Sequence, residues 1–351
     1  MAVTLKDVAL RAGTSPAAVS ATLNGTLGKS TRVGKETRER ILAAAAELGY
    51  VSNPIAKSLA TGRTGVLGLM LPYHSSFLEH DPFITNVMNG LLAEAVRQRY
   101  NVMLYTATSE EEGDSAATMV DSRVDGVVLV IPPSGSPIFE NCARRGIAVV
   151  SVLKQPESPE EYVVNSNDYD GGRLATQHLI DLGHRRIAHI SGNEQVTTTP
   201  VRRQGYLDAM TEAGLDPDPS LLIHGGFSRD GGAAATRRLL ELPQRPTAVF
   251  CANDLCAHGA IQTAIGAGLR VPDDLAVVGY DDTWYSTMTQ PPLTTVNMAI
   301  EAMGARAARL LIAQVEGGST TERQPVLPVS LTVRESCGAG RSAFRSAEKS
   351  S

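Results

Sequence analysis

A chain of 351 residues exceeds one ordinary domain, and its 42% hydrophobic content is enough to fill two or three cores. With 20% charged residues it has globular composition, not that of a disordered or membrane protein. No apolar run reaches the ~18 residues of a bilayer span, and no basic-then-apolar leader follows Met1, so the expected location is the cytoplasm.

The net charge of -5 hides an asymmetry: residues 1–63 hold nine Lys/Arg against four Asp/Glu, a net of +5, and the remainder carries -10. The footprint for a polyanion therefore lies on the first sixth of the chain. Thr4 to Asn24, TLKDVALRAGTSPAAVSATLN, predicts two short helices around a tight turn. Thr4 caps the first, with Asp7 completing a capping box; Val8, Ala9 and Ala12 share one face, and Gly13 ends the helix. Ser15 followed by Pro16 restarts it, because the hydroxyl accepts from orphan amides and proline gives up a donor without a partner. Val19 and Leu23 supply the buried face of the second helix. Alone, this pair is either a helix-turn-helix, whose second helix enters the major groove, or a plain helical hairpin.

The loop GTLGKSTRVG leads to a third helix from Lys35 to Leu48, with Ile41, Leu42, Ala45 and Leu48 on one face. Gly49 closes it, and Tyr50 and Val51 fold back over the small core. Asn53-Pro54 opens a further helix, IAKSLA, too short to be stable alone. From Gly65 the period changes: GVLGLML, NVMLYTA, DGVVLVI and IAVVSVL are short β-branched runs separated by helices at 84–98, 115–123 and 137–145. A second series follows, with helices at 175–182, 202–213, 231–242 and 257–267 and strands RIAHISG, 221–223, TAVFCAN and LAVVGYD. Strands alternating with helices mean parallel sheets buried on both faces, and two such series mean two similar lobes with a cleft between them. The tail from residue 334 reads as disordered.

Cys142, Cys251, Cys256 and Cys337 lack paired short spacing and read as small buried hydrophobes. An enzyme is not expected: there is no phosphate-cradling glycine loop, no nucleophile elbow and no metal-ligand cluster. His178, His184 and His189 straddle a helix, a loop and a strand and read as structural histidines. No cofactor is expected.

The segments TLKDVALRAGTSPAAVSATLNG, TRERILAAAAELGYVSNPIAKSLATGRTGVLGLMLP, GGRLATQHLIDLGHRRIAHISG, RRQGYLDAMTEAGL, VFCANDLCAHGAIQTAIGAGLRVPDDLAVVGYDD and PPLTTVNM, in this order, resemble the LacI/GalR family of bacterial transcriptional regulators from Val3 to about Arg334. The resemblance implies an all-α helix-turn-helix headpiece at 1–52, a hinge helix and linker at 53–64, and at 65–333 an α/β core of two Rossmann-like lobes, like a type 1 periplasmic binding protein. It also implies a homodimer on double-stranded operator DNA, acting as a repressor controlled by a sugar or related metabolite.

By the same resemblance Pro16, Ala17 and Ala21 face the groove, with Thr4, Ser15, Ala18, Ser20 and Asn24 near phosphates or base edges. Many relatives place long polar side chains at the first two positions and an arginine where Ala21 stands. Alanine cannot make arginine's bidentate guanine contact, so direct readout is expected to be weaker, with specificity moved to the hinge and to DNA shape. The loop is about four residues longer than usual for the family, and its Lys29 and Arg32 either meet phosphates or keep the loop solvated. Leu59 matches the family's minor-groove wedge, against the alternative of ordinary packing. The cleft positions carried over are Phe83, Thr198, Arg202, Asn253, Asp281 and Trp284. These suit a polyol: a forked donor, a carboxylate acceptor and aromatic faces. Arg202 as a helix-end arginine and Asp281 as a turn aspartate are the structural alternatives. Met298, Ile300 and the pair Asn167-Asp168 depart from the family pattern, which leaves the effector's identity open.

Overall fold

A computed structural model describes residues 3–24, 33–51, 53, 58, 61–71, 82–106, 120–132, 136, 138–318 and 321–339. The chain forms two compact units, Met1–Val66 with Asp121–Asp125, and Leu67–Val120 with Gly126–Ser351.

In the first unit, α1 (Leu5–Ala12) begins at Thr4, whose hydroxyl accepts from the Asp7 amide while the Asp7 carboxylate accepts from the Thr4 amide at 2.8 Å. Gly13 closes it at φ 61°, a left-handed conformation that glycine adopts without steric cost. Ser15 Oγ accepts from the Ala18 amide at 3.2 Å and starts α2 (Pro16–Asn24). The third helix, α3 (Lys35–Glu47), buries Ile41, Ala44 and Ala45 with Leu48 partly covered. That stripe is i, i+3, i+4, i+7, so Leu42, expected on the buried face, lies off it and is exposed. Val51 is likewise exposed, and only Tyr50 packs on the core. Val8, Ala9, Ala12 and Val19 complete this core.

The second unit holds two six-stranded sheets of one design. The first contains β1 (Val66–Leu71), β2 (Asn101–Thr106), β3 (Gly126–Val130), β4 (Ala148–Val152), β5 (Val163–Ser166) and a late strand, β11 (Val326–Leu327). The second contains β6 (Ile187–Ser191), β7 (Leu222–His224), β8 (Ala248–Cys251), β9 (Ala276–Asp281), β10 (Thr294–Asn297) and β12 (Ser330–Thr332). Their orders are β2-β1-β3-β4-β5-β11 and β7-β6-β8-β9-β10-β12. Every recorded pairing is parallel except β12 against β10. Each order reverses beside its first strand, between β1 and β3 and between β6 and β8, and such switch points are where open α/β sheets bind ligands at their carboxyl edges. β3, β6 and β9 are buried along their whole length, as strands covered on both faces must be.

Helices α4 (Pro82–Arg97), α5 (Ile138–Arg144) and α11 (Ile300–Val315) serve the first lobe. The second lobe uses α6 (Asp168–Asp181), α7 (Thr198–Glu212), α8 (Arg229–Leu240) and α9 (Asp254–Gly266), with the short α10 (Tyr285–Met288) after β9. Three helix pairs approach through reciprocal glycines: Gly90 and Gly304 between α4 and α11, Gly172 and Gly205 between α6 and α7, and Gly232 and Gly259 between α8 and α9. At each, a Cβ would collide with the opposing helix backbone. Among the described residues the chain passes between the lobes three times: at Asn167, at Met298-Ala299 and at Pro328-Val329.

Several expected boundaries move. Asn167 caps α6, accepting from the Asp170 amide at 3.2 Å, so this helix starts seven residues before the expected Ala175. Thr198, not Arg202, starts α7, and Arg229 and Asp254 start α8 and α9 under the caps Ser228 and Asn253. Of the helix expected at 115–123, residues 115–119 lie outside the described residues, and 121–123 form a turn in which Asp121 accepts from the Arg123 amide. Residues Arg334 to Cys337, assigned to a disordered tail, are folded: Ser336 is fully buried and its hydroxyl donates to Val277 O at 2.6 Å. A Ser in this short segment can satisfy a sheet edge, which its polar composition does not reveal.

Candidate functional site

On α2, Pro16 and Ala17 are exposed and Ala18 and Ser20 partly so, while Ser15 is exposed at the helix start. Ala21 departs from the expectation that it faces the groove: it is 6% exposed, on the inward side of the helix. The hydroxyl of Thr4 is already held by Asp7 at 2.7 Å. Lys6, Lys35, Arg38 and Arg40 are exposed basic residues of this unit, whereas Arg11 is paired with Glu47 at 2.7 Å. Lys29, Arg32 and Leu59, and most of the expected hinge helix, lie outside the described residues. Beyond them, the Asp125 carboxylate accepts from the Thr64 amide and hydroxyl at 2.6 and 2.9 Å and from the Gly65 amide at 2.8 Å.

In the second unit the carboxyl edge of the β6–β10 sheet collects most of the expected cleft residues. After β6 come Thr198 and, one turn along α7, Arg202, both buried. Arg202 donates from Nε at 3.1 Å and Nη2 at 2.5 Å to Asp168 Oδ1 and from Nη1 to Ala252 O, and its guanidinium lies 3.4 Å from the centroid of the Tyr280 ring. Three of its five N–H donors are thus committed within the lobe. Asp168 also accepts from Ser166 Oγ at 3.0 Å. The unusual order Asn167-Asp168 now has a physical account: the first residue caps α6 and the second pairs with Arg202.

After β8, Asn253 caps α9 by accepting from the Cys256 amide at 2.9 Å and donates Nδ2 to Phe227 O at 3.0 Å. The Phe227 ring rests on Gly192, where a Cβ has no room. Phe227 therefore joins the switch-point residues, although sequence reading missed it; the only signal was an aromatic between a strand end and the Ser228 cap. Asp281 ends β9 at φ 106° and is buried. Trp284 follows on the same turn, half exposed and stacked on Tyr285 with centroids 4.0 Å apart. Phe83, by contrast, is packed in the hydrophobic core at the start of α4, as are Met298 and Ile300 elsewhere.

Two titrating groups lie behind this edge. Burial raises the Asp254 carboxyl to about 7 although Thr283 N, Thr283 Oγ1 and Thr295 Oγ1 all donate to it. Burial lowers His189 to about 3; it stacks between Tyr206 and Phe250 and contacts Phe250 O at 3.1 Å. His178 contacts Cys337 Sγ and His184 contacts Thr247 Oγ1, so the three histidines are separately engaged. Among the described residues no group of three or more His, Cys, Asp or Glu is placed to hold a metal ion.

Residues 4–53 match "Bacterial regulatory proteins, lacI family", and residues 176–337 match "Periplasmic binding protein-like domain". The HTH-type transcriptional regulator CelR of Thermobifida fusca is 37% identical over 336 residues, covering 95% of this chain and 98% of its own. The chain belongs to the LacI family. Another member, the HTH-type transcriptional repressor PurR of Haemophilus influenzae, is 31% identical over 339 residues, with 95% and 98% covered. Among solved structures, a transcriptional regulator CelR-cellobiose complex is 35% identical with a TM-score of 0.73, covering 95% of this chain and 99% of that one. The lac repressor dimer bound to operator and the anti-inducer ONPF is 27% identical with a TM-score of 0.82, covering 96% and 99%. As a LacI-family protein the chain is a DNA-binding transcriptional regulator, not an enzyme. Among the described residues no helix is long and apolar enough to cross a membrane.

Proposed function

We propose that this LacI-family regulator is a repressor, acting as a homodimer on a two-fold operator, whose DNA affinity is set by a sugar held at the carboxyl edge of the β6–β10 sheet. The observation that carries this reading is that Arg202, Asn253, Phe227 and Asp281 all lie at the carboxyl edge of the β6–β10 sheet, beside its switch point. Arg202 is a forked donor, Asp281 supplies a carboxylate acceptor, and Phe227 offers an apolar face, the set that a polyol with vicinal hydroxyls and an axial C–H face requires. A β-linked glucose disaccharide such as cellobiose is the first ligand to try, because the CelR relative was solved with it. Ligand binding shifts the population between two lobe arrangements that present the headpieces differently, and linkage requires DNA to change sugar affinity by the same factor.

On the DNA side Pro16, Ala17, Ser15, Ala18 and Ser20 meet the groove and backbone, Lys29 and Arg32 meet phosphates, and Leu59 enters the minor groove. A gel shift on DNA from upstream of the protein's own coding sequence, with and without a sugar panel that includes cellobiose, tests both halves. The expected result is a specific complex whose midpoint moves at least fivefold with one sugar. A specific complex unmoved by every sugar would sink the ligand half, and no specific complex would sink the whole.

A further inference from the structure

The turn after β9 carries two successive non-glycine residues at positive φ, Asp281 at 106° and Asp282 at 54°. Such a conformation persists only where its surroundings over-determine it. The Asp282 carboxylate supplies that constraint. Its Oδ1 accepts from Arg334 Nη2 at 2.7 Å, and its Oδ2 from Asn297 Nδ2 at 3.0 Å and Thr332 Oγ1 at 2.8 Å, while the nearby Ser286 hydroxyl donates to Thr283 O at 2.6 Å. Three donors from separate segments thus converge on one carboxylate.

The donors' positions matter more than their number. Asn297 is the last residue of β10, where the chain leaves the second lobe for α11 in the first. Its Oδ1 also accepts from the Ala299 amide at 2.8 Å, and Ala299 itself stands at φ 54° in that crossing. Thr332 lies in β12, just after the return crossing at Pro328-Val329, in register with Thr295 of β10. Arg334 follows and fastens by Nη1 to Leu293 O at 2.8 Å. Burial by itself would raise Asp282, but its bonds to Arg334, Asn297 and Thr332 outweigh that and hold it below the usual aspartate value, so it stays charged.

We propose that Asp282 is a positioning residue that joins the turn bearing Asp281 to two of the three interlobe crossings, so that occupancy at Asp281 is transmitted to the angle between the lobes. This rests on the reading of Asp281 as a ligand contact. The third crossing, at Asn167, leads directly into the Asp168–Arg202 pair, so all three connections are tied to groups at the same edge. Packed elements with discrete side-chain links are the means by which small shifts at a ligand become rigid-body changes.

The test is Asp282→Asn in the full-length protein, which keeps the side-chain shape but removes the charge and turns an amide donor toward donors. Without ligand, hydrogen exchange of peptides covering 294–300 and 328–334 should speed up at least tenfold, with peptides over β6 and β8 unchanged. A change confined to 281–286 would mean a purely local turn role and would overturn the proposal. In operator titrations at saturating cellobiose, with occupancy followed by the emission of Trp284, the chain's one tryptophan, the ligand-dependent change in affinity should shrink at least fivefold. An unchanged response in the variant overturns the proposal alone; a wild type that no sugar affects overturns the ligand reading and the transmission role with it. Thr332→Val removes a single donor and should move both readouts in the same direction but less. If Asp282→Asn does not fold, Thr332→Val and Arg334→Lys decide by the same criteria.

Discussion

The DNA-reading unit and the second lobe both fix short elements in place, and they do so with opposite kinds of bond. In the headpiece, the side-chain hydrogen bonds that set the helix starts are short-range, Thr4 to Asp7 and Ser15 to Ala18, over a core of small residues such as Val8, Ala12 and Ala44, and the long-range Arg11–Glu47 pair is exposed. In the second lobe the bonds that shape the site span tens of residues: Arg202 to Asp168, Thr295 to Asp254, Arg334 to Asp282, Ser336 to Val277. Local caps contribute about 1 kcal/mol each. Buried charged groups are expensive to desolvate and costly to leave unpaired, so they enforce one arrangement.

The largest break in this contrast should come from Asp168→Ala, which strands the buried Arg202 guanidinium; a loss of about 3–5 kcal/mol in urea unfolding of the core is expected. Replacing both partners with apolar residues, Asp168→Leu with Arg202→Met, should recover most of that stability while abolishing any sugar response.

Asp254 gives a pH-dependent version of the same test. Its folded value, about 7 against an ordinary 3.8, is raised, so the stability it contributes is fully present below the ordinary value and is lost as pH rises through 7. Asp254→Asn should therefore gain on the wild type between pH 4 and pH 8, with a ceiling of roughly 4 kcal/mol. Parallel denaturant curves for both proteins across that range, with no relative gain by the variant, would refute it.

Next in size is Gly205→Ala, whose methyl meets the backbone of α6 at Tyr169. We expect a loss of about 1–3 kcal/mol in core stability from this overpacking, read as a lower midpoint of core unfolding. The smallest effect belongs to the headpiece. Thr4→Ala removes the capping box and should cost about 1 kcal/mol of headpiece stability, visible as earlier headpiece melting and weaker operator binding with the core transition unmoved.

The contrast also explains what could be read in advance. The ends of α1 and the start of α2 were legible because a cap, its partner and the glycine stop lie within a few residues of each other. The strands of both lobes were legible because a doubly buried strand must be apolar throughout. The start of α6 lies earlier than expected, since nothing local shows that Gly171 and Gly172 are helical positions on which Tyr280 and the α7 backbone pack. Phe227 was passed over because nothing in its neighbours shows that its ring lies on Gly192. Ala21 was placed on the groove by likeness to relatives, and burial in the folded unit moves it inward.

The sequence by itself determined the charge asymmetry, the helix pair with its caps, the two alternating β/α series and, through the order of its motifs, the family. Only the tertiary structure decided which polar residues meet at the β6–β10 edge, that residues 334–337 are part of the second lobe, and that Asp282 gathers donors from two crossings. The reason is physical: caps and strand patterns depend on neighbours a few residues apart, whereas a buried carboxylate is satisfied by whichever donors the fold brings to it, and Arg334 stands 52 residues from Asp282 along the chain.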